Sequence, residues 1–180
     1  QRGRHQHGRI EQVDRGSDAT VEDRLDRRAE SSDEQAASEG PAFGTVLASQ
    51  MAVASCKDGK WSQHEFRKYG TLELSPAIHA LHYGSACFEG FKAYRWADGS
   101  VNVFRMDRHI ARLQRSADCL MIPKPDAAQA AAMVSGVIDR VRGEVPEAPG
   151  ALYLRPTLFG TGASIGGATS PATEAMLVVL

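Results

Sequence analysis

The chain has 180 residues, 42% of them hydrophobic and 24% charged, with a formal net charge of −1, the size of one domain of about 100–200 residues or one domain plus a tail. That balance lacks the basic footprint of a general nucleic-acid binder, and no stretch of about 18 apolar residues exists to span a membrane as a helix. Cys56, Cys87 and Cys119 are scattered and form no CxxC pair, which argues against a disulfide framework or a zinc site and for a reducing, cytoplasmic setting. Residues 1–41 are crowded with Arg, Asp, Glu, Ser and Gly, and their few aliphatics form no stripe, so a disordered polar tail is expected. His5 and His7 within it read as solvated side chains rather than metal ligands.

The globular pattern begins at residue 42. Val46–Ala54 predicts a strand, Asp58-Gly59 a tight turn, and a second strand follows near Trp61–Glu65. Leu72–Leu74 reads as a short extended piece. Phe91–Arg95 and Val101–Arg105 predict a hairpin turning at Asp98-Gly99. Asp107 is expected to cap a helix with Ile110, Leu113, Ala117 and Leu120 on its apolar face, stopped by Pro123 and Pro125. A second helix over about Asp126–Arg142 carries Met133, Val134, Val137, Ile138 and Val141. Leu152–Phe159 predicts a strand, Gly160–Pro171 a glycine-rich loop, and Ala175–Leu180 a further strand. Met176–Leu180 is a continuous apolar run of the buried-strand kind, so the chain is expected to be the N-terminal part of a longer protein.

Three groups of residues could carry chemistry. In Leu152-Tyr153-Leu154-Arg155-Pro156, strand alternation puts Tyr153 and Arg155 on one face, where a phenol and a guanidinium can grip a carboxylate. A pair facing solvent from a half-exposed sheet is the plainer reading of that spacing. On the helix after Asp107, Arg112 borders the apolar stripe while Arg108 and Arg115 lie on the far side. A border arginine can snorkel to water or hold a phosphate, and geometry leaves the two equal. The run His82–Gly90 brackets a small-residue turn with aromatics and ends in Glu-Gly; its Cys87 has no nearby base and reads as an inert thiol. The loop Gly160–Gly167 has GxGxxxG spacing and leads to a strand instead of a helix, so it fails as a dinucleotide fingerprint. The six histidines form no ligand cluster.

Taken in order, these motifs resemble one family. His82-Tyr83-Gly84, Phe88-Glu89-Gly90, Lys92-Ala93-Tyr94-Arg95 and Asp98-Gly99 resemble a continuous block of the branched-chain amino-acid aminotransferases. Val103-Phe104-Arg105, Arg112-Leu113, Arg115-Ser116-Ala117 and Pro123 resemble the helix that follows it. Leu152–Pro156 with Phe159-Gly160-Thr161 resembles a later strand of the family, and Phe43-Gly44-Thr45 with Met51 its opening segment. The resemblance runs over roughly residues 42–180 and implies the small N-terminal α+β domain of a fold type IV enzyme, truncated near the start of the linker to the large domain. It implies pyridoxal 5′-phosphate as cofactor, transfer of an amino group between leucine, isoleucine or valine and 2-oxoglutarate, and a homodimer when full-length, with amino acids and 2-oxo acids as its small-molecule partners. By the same resemblance Arg112 anchors the cofactor phosphate, Tyr83 and Phe88 shape the side-chain pocket, and Tyr153 and Arg155 handle substrate carboxylates. The lysine that forms the Schiff base belongs to the other domain: Lys57, Lys60, Lys68, Lys92 and Lys124 match no catalytic position, so no catalytic residue is expected within the chain and the fragment alone is expected to be inactive. Gly162-Ala163-Ser164 stands where the family has an acidic residue and proline. The rival readings are a D-amino-acid transaminase or aminodeoxychorismate lyase of the same fold, and a non-catalytic fragment acting as an interaction module.

Overall fold

The computed structural model describes residues 42–166 and 170–180; the expectations for the 1–41 tail and for His5 and His7 lie outside the described residues. Asp58-Gly59 forms the first turn, with φ of 50° and 73° at the two residues, the left-handed pair that a two-residue hairpin requires. It joins β1 (Gln50–Lys57) to β2 (Lys60–Trp61), and β3 (Glu65–Lys68) continues along the same edge of β1. Strand β1 begins at Gln50, opposite Lys68 where β3 ends, rather than at Val46 as expected. Among the described residues no strand pairs with Val46 and Leu47, which are 72% and 49% exposed. Leu72–Leu74 enters no sheet.

A helix missed in the sequence, α1 (His79–Tyr83), ends at Gly84, whose φ of 67° lets its N–H reach back to Ala80 O. Five residues are too few to show a helical period. Next come β4 (Ala86–Phe88), β5 (Phe91–Arg95) and β6 (Val101–Val103), with the β5–β6 turn closed by Gly99 N–H donating to Trp96 O at 2.9 Å. Helix α2 (Met106–Cys119) starts one residue before Asp107, on Arg105 in a left-handed conformation. Asp107 is therefore a first-turn residue and not the cap; its charge there suits the positive end of the helix. The buried stripe of α2 is Ile110, Leu113 and Ala117, while Leu120 lies past the last turn and is exposed. Helix α3 (Ala127–Arg140), expected over about Asp126–Arg142, is capped by Asp126, which accepts from Gln129 N–H at 2.9 Å. The chain ends in β7 (Leu152–Leu154), β8 (Pro156–Gly160) and β9 (Ala175–Val179).

All strand pairs among the described residues are antiparallel. The larger sheet runs β2/β3, β1, β9, β8, β4, and the smaller one β6, β5, β7. Alternation sends Ala52, Ala54, Leu158, Leu177 and Val179 toward α2 and α3, where they pack with Leu113, Met133, Val134 and Val137; each large side chain so buried stabilises the fold by about 1.5–3 kcal/mol. Met51, Val53 and Val178 form a smaller cluster on the opposite face.

The two sheets are stitched by one ribbon. Cys87 pairs with Leu158 and Phe88 with Thr157 in the large sheet; Phe91 pairs with Leu154 and Lys92 with Tyr153 in the small one. Both stretches share a single register, which sets Glu89 opposite Pro156 and Gly90 opposite Arg155 at the bend. Glu89 N–H donates to Pro156 O at 2.9 Å, and Pro156 has no N–H to return the second bond. The strand expected over Leu152–Phe159 is thus two strands in two sheets, parted at Arg155, whose backbone pairs with Leu180 on the other side.

Candidate active site

The bend of the ribbon gathers polar side chains on both of its faces. Alternation puts Phe88, Gly90, Tyr153 and Arg155 on one face, and Cys87, Glu89 and Phe91 on the face that α2 covers.

On the first face Arg155 Nη2 donates to Tyr153 Oη at 3.0 Å, and its guanidinium carbon lies 4.1 Å from the centre of the Phe88 ring and 5.2 Å from that of Tyr153. Such stacking holds a cation in one orientation. Arg155 Nε is buried and has no hydrogen-bond partner among the described residues. Gly90 makes the arrangement possible: a Cβ there would come within 1.9 Å of Tyr153 Oη. The phenol occupies the space a side chain would need.

On the second face Glu89 is only 4% exposed. Its Oε1 accepts from Arg112 Nε and its Oε2 from Arg112 Nη2, both at 2.6 Å, and Oε2 also lies 3.0 Å from His109 Nδ1. His109 stacks on Phe91 with ring centres 4.6 Å apart. Burial alone would push the Glu89 carboxyl up, but the hydrogen bonds and charges of Arg112 and His109 outweigh it and hold the group below the usual carboxylate range; the same bond pushes the Arg112 guanidinium up. Arg112 itself remains 58% exposed at its side chain. It does not lie flat along the core edge. It stands on α2 with one edge of its fork on Glu89. The neighbouring Arg108 meets Asp107 at 3.6 Å on the surface. Burial and then the charge of Glu89 push the Cys87 thiol up, which suits the inert reading.

Tyr83 stands apart on α1. Its hydroxyl donates to Ile165 O in the β8–β9 loop, and its ring packs against His79 at 4.8 Å. The loop is laid along the start of α1 by His79 N–H on Gly162 O at 2.9 Å and Ser164 N–H on Ala77 O at 3.1 Å. The five residues singled out in the sequence therefore fall into three places: Phe88, Tyr153 and Arg155 together, Arg112 on Glu89, and Tyr83 under the loop. Sequence reasoning gives no role to Glu89, His109 or Gly90. A glutamate flanked by apolar strand residues, with His109 and Arg112 one helical turn apart on the next helix, is the signal that could have found the first two.

The bend of the ribbon thus carries a pinned arginine on one face and a tyrosine–arginine pair on the other, and comparison with known proteins gives the class. A family model described as amino-transferase class IV matches residues 86–180; the chain belongs to the class IV aminotransferases. It is similar to the branched-chain-amino-acid aminotransferase of Haemophilus influenzae, 39% identical over 131 residues that cover 72% of this chain and 38% of that protein. It is likewise similar to that of Mycobacterium tuberculosis, at 40% over 137 residues covering 74% and 37%. Among solved structures, the branched-chain amino acid aminotransferase from Escherichia coli aligns with a TM-score of 0.55 and 25% identity, over 74% of this chain and 41% of that one. The branched-chain aminotransferase from the thermophilic archaeon Thermoproteus uzoniensis, solved with norvaline, aligns with a TM-score of 0.51 and 25% identity, over 73% and 40%. The chain spans a little over a third of the length of these curated relatives.

Proposed function

We propose that residues 42–180 form the small N-terminal α+β domain of a branched-chain aminotransferase. The whole protein would transfer the amino group between leucine, isoleucine or valine and 2-oxoglutarate, with pyridoxal 5′-phosphate as cofactor. The observation that carries this reading is the Phe88–Tyr153–Arg155 cluster, a stacked cation whose buried Nε has no hydrogen-bond partner among the described residues. One pocket must take both an apolar amino acid and a diacid. Burying the second carboxylate of glutamate unpaired costs on the order of several kcal/mol, so a cation must meet it and yet tolerate leucine in its place. Arg155 answers both demands, because its charge is already stacked on Phe88 when no carboxylate is present. Leucine packs instead on Phe88, gaining about 0.8 kcal/mol per buried CH₂; Tyr83, held under the β8–β9 loop by its bond to Ile165 O, stands outside that cluster.

The residues present fit the phosphate end of the cofactor at Arg112, a half-exposed guanidinium whose orientation is set by a buried carboxylate. When bound, pyridoxal phosphate supplies an aldehyde that takes up the amino group and a ring that stabilises negative charge at the substrate carbon. The homodimer and the cytoplasmic setting belong to the same proposal. The first rests on the family, the second on three thiols that form no disulfide.

Arg155→Leu in the full-length protein tests the reading. The glutamate half-reaction should slow far more than the leucine half-reaction when each is followed through cofactor absorbance in single-turnover mixing. Equal slowing of both would mean that Arg155 is structural or binds the carboxylate common to both substrates, and dual recognition by this cluster would be abandoned.

A further inference from the structure

The Arg112 fork is not free to choose its direction. Of the five N–H groups of a guanidinium, two are spent on Glu89, and the rest remain for another acceptor. Glu89 is itself held from three sides: its backbone is fixed on the ribbon bend by the bond to Pro156 O, its Oε2 meets His109, and its carboxyl is enclosed at 4% exposure. His109 is fixed in turn by stacking on Phe91. Strand and helix thus converge on one carboxylate that these two α2 side chains pair, and a small cavity lined by Glu89, His109, Leu113 and Pro156 lies behind it. A buried acid costs stability unless it is paired. Its pairing here orients an arginine whose side chain is more than half in solvent, where an isolated arginine would sample many rotamers.

We propose that Glu89 is a positioning residue: through its bidentate bond, steadied by His109, it presents the outer edge of Arg112 to the phosphate of the cofactor. The assignment rests on the reading of Arg112 as the phosphate anchor. Glu89 touches neither cofactor nor substrate; it replaces the ordering cost that Arg112 would otherwise meet on binding an anion. It also removes part of the local positive charge, so the proposal fixes a sign. If orientation outweighs charge, loss of the carboxylate weakens phosphate binding. If charge outweighs orientation, loss of the carboxylate strengthens it.

The test compares pyridoxamine 5′-phosphate with pyridoxamine on the full-length apoprotein by equilibrium dialysis. The ratio of the two dissociation constants measures what the phosphate contributes, and because both ligands meet the same folded fraction, a general loss of folding cancels. In Arg112→Ala the ratio should fall by roughly ten- to a hundredfold. In Glu89→Gln it should fall by about tenfold, and Glu89→Gln with Arg112→Ala together should be no worse than Arg112→Ala alone. Arg108→Ala, on the outer face of α2, should leave the ratio unchanged. If Arg112→Ala lowers the ratio while Glu89→Gln leaves it unchanged or raises it, the positioning role is overturned and the anchor reading stands. If Arg112→Ala itself leaves the ratio unchanged, both fall. Should Glu89→Gln fail to fold, Glu89→Asp, which keeps the charge but draws it back from the fork, carries the test with the same outcomes and a smaller expected fall.

Discussion

Glu89 also sets how the domain responds to acid. Burial opposes its charge, yet Arg112 and His109 hold its pKa below the ordinary 4.5. A carboxyl depressed in the folded state contributes stability that is present above its unfolded pKa and is lost as pH falls through the folded one. The groups that face it are Arg112 and His109 from α2 and Cys87 from β4. Glu89→Gln should therefore destabilise the domain by roughly 1.5–3 kcal/mol near neutral pH, the range for a hydrogen bond to a charged group. The gap between variant and parent should begin to close below about 4.5, where the unfolded chain protonates Glu89, and vanish once pH has fallen through the lower folded pKa, where the folded parent loses the same bond. Urea unfolding across that range measures it. A gap that stays constant into acid would show that the charge of Glu89 is not what the folded state holds. The pattern around Phe88-Glu89-Gly90 does not announce this role by itself, because the partners lie 20 and 23 positions downstream and only the packing of α2 on the ribbon brings them in.

At the scale of elements, the sequence is legible where local chemistry decides and opaque where pairing decides. The Asp58-Gly59 turn, the start of α3 near Asp126 and the apolar face of that helix are local, and each can be read from the residues alone. The start of β1 depends on where β3 ends, and the division of the strand at Arg155 depends on two sheets meeting, so neither can. The alternation that puts Tyr153 beside Arg155 survives the bend because the register is shared across it. Gly90 is where that bend is most exposed to mutation. In Gly90→Ala the new Cβ would meet Tyr153 Oη at 1.9 Å and Cζ at 2.8 Å, forcing the phenol off Arg155 at a cost of about 1–3 kcal/mol. Tyr153→Ala removes the obstacle. Thermal and urea unfolding of the four proteins in the cycle should show Gly90→Ala costing much less in the Tyr153→Ala background. An equal cost in both backgrounds would place the strain in the backbone of the bend instead.

Across the whole chain, groups able to bind are present while no lysine is set up as an amine nucleophile. Lysine becomes one when a dry pocket or a neighbouring cation favours its neutral form, and all five lysines here are exposed. Lys57 and Lys60 flank the first hairpin turn and Lys68 ends β3. Lys124 meets Asp118 at 3.0 Å on the surface, an anion that favours the charged ammonium. Lys92 is the one to watch, since it stands across the ladder from Tyr153, but it lies on the solvent side of β5. The 180 residues by themselves should therefore give no transamination. Purified chain would be incubated with pyridoxal phosphate, leucine and 2-oxoglutarate, and glutamate followed against the same mixture without protein. The expected rate is that of the free cofactor. Turnover above it that disappears in Lys92→Ala would put the nucleophile on β5, and the division of labour between anion binding in this chain and covalent chemistry elsewhere would have to be given up.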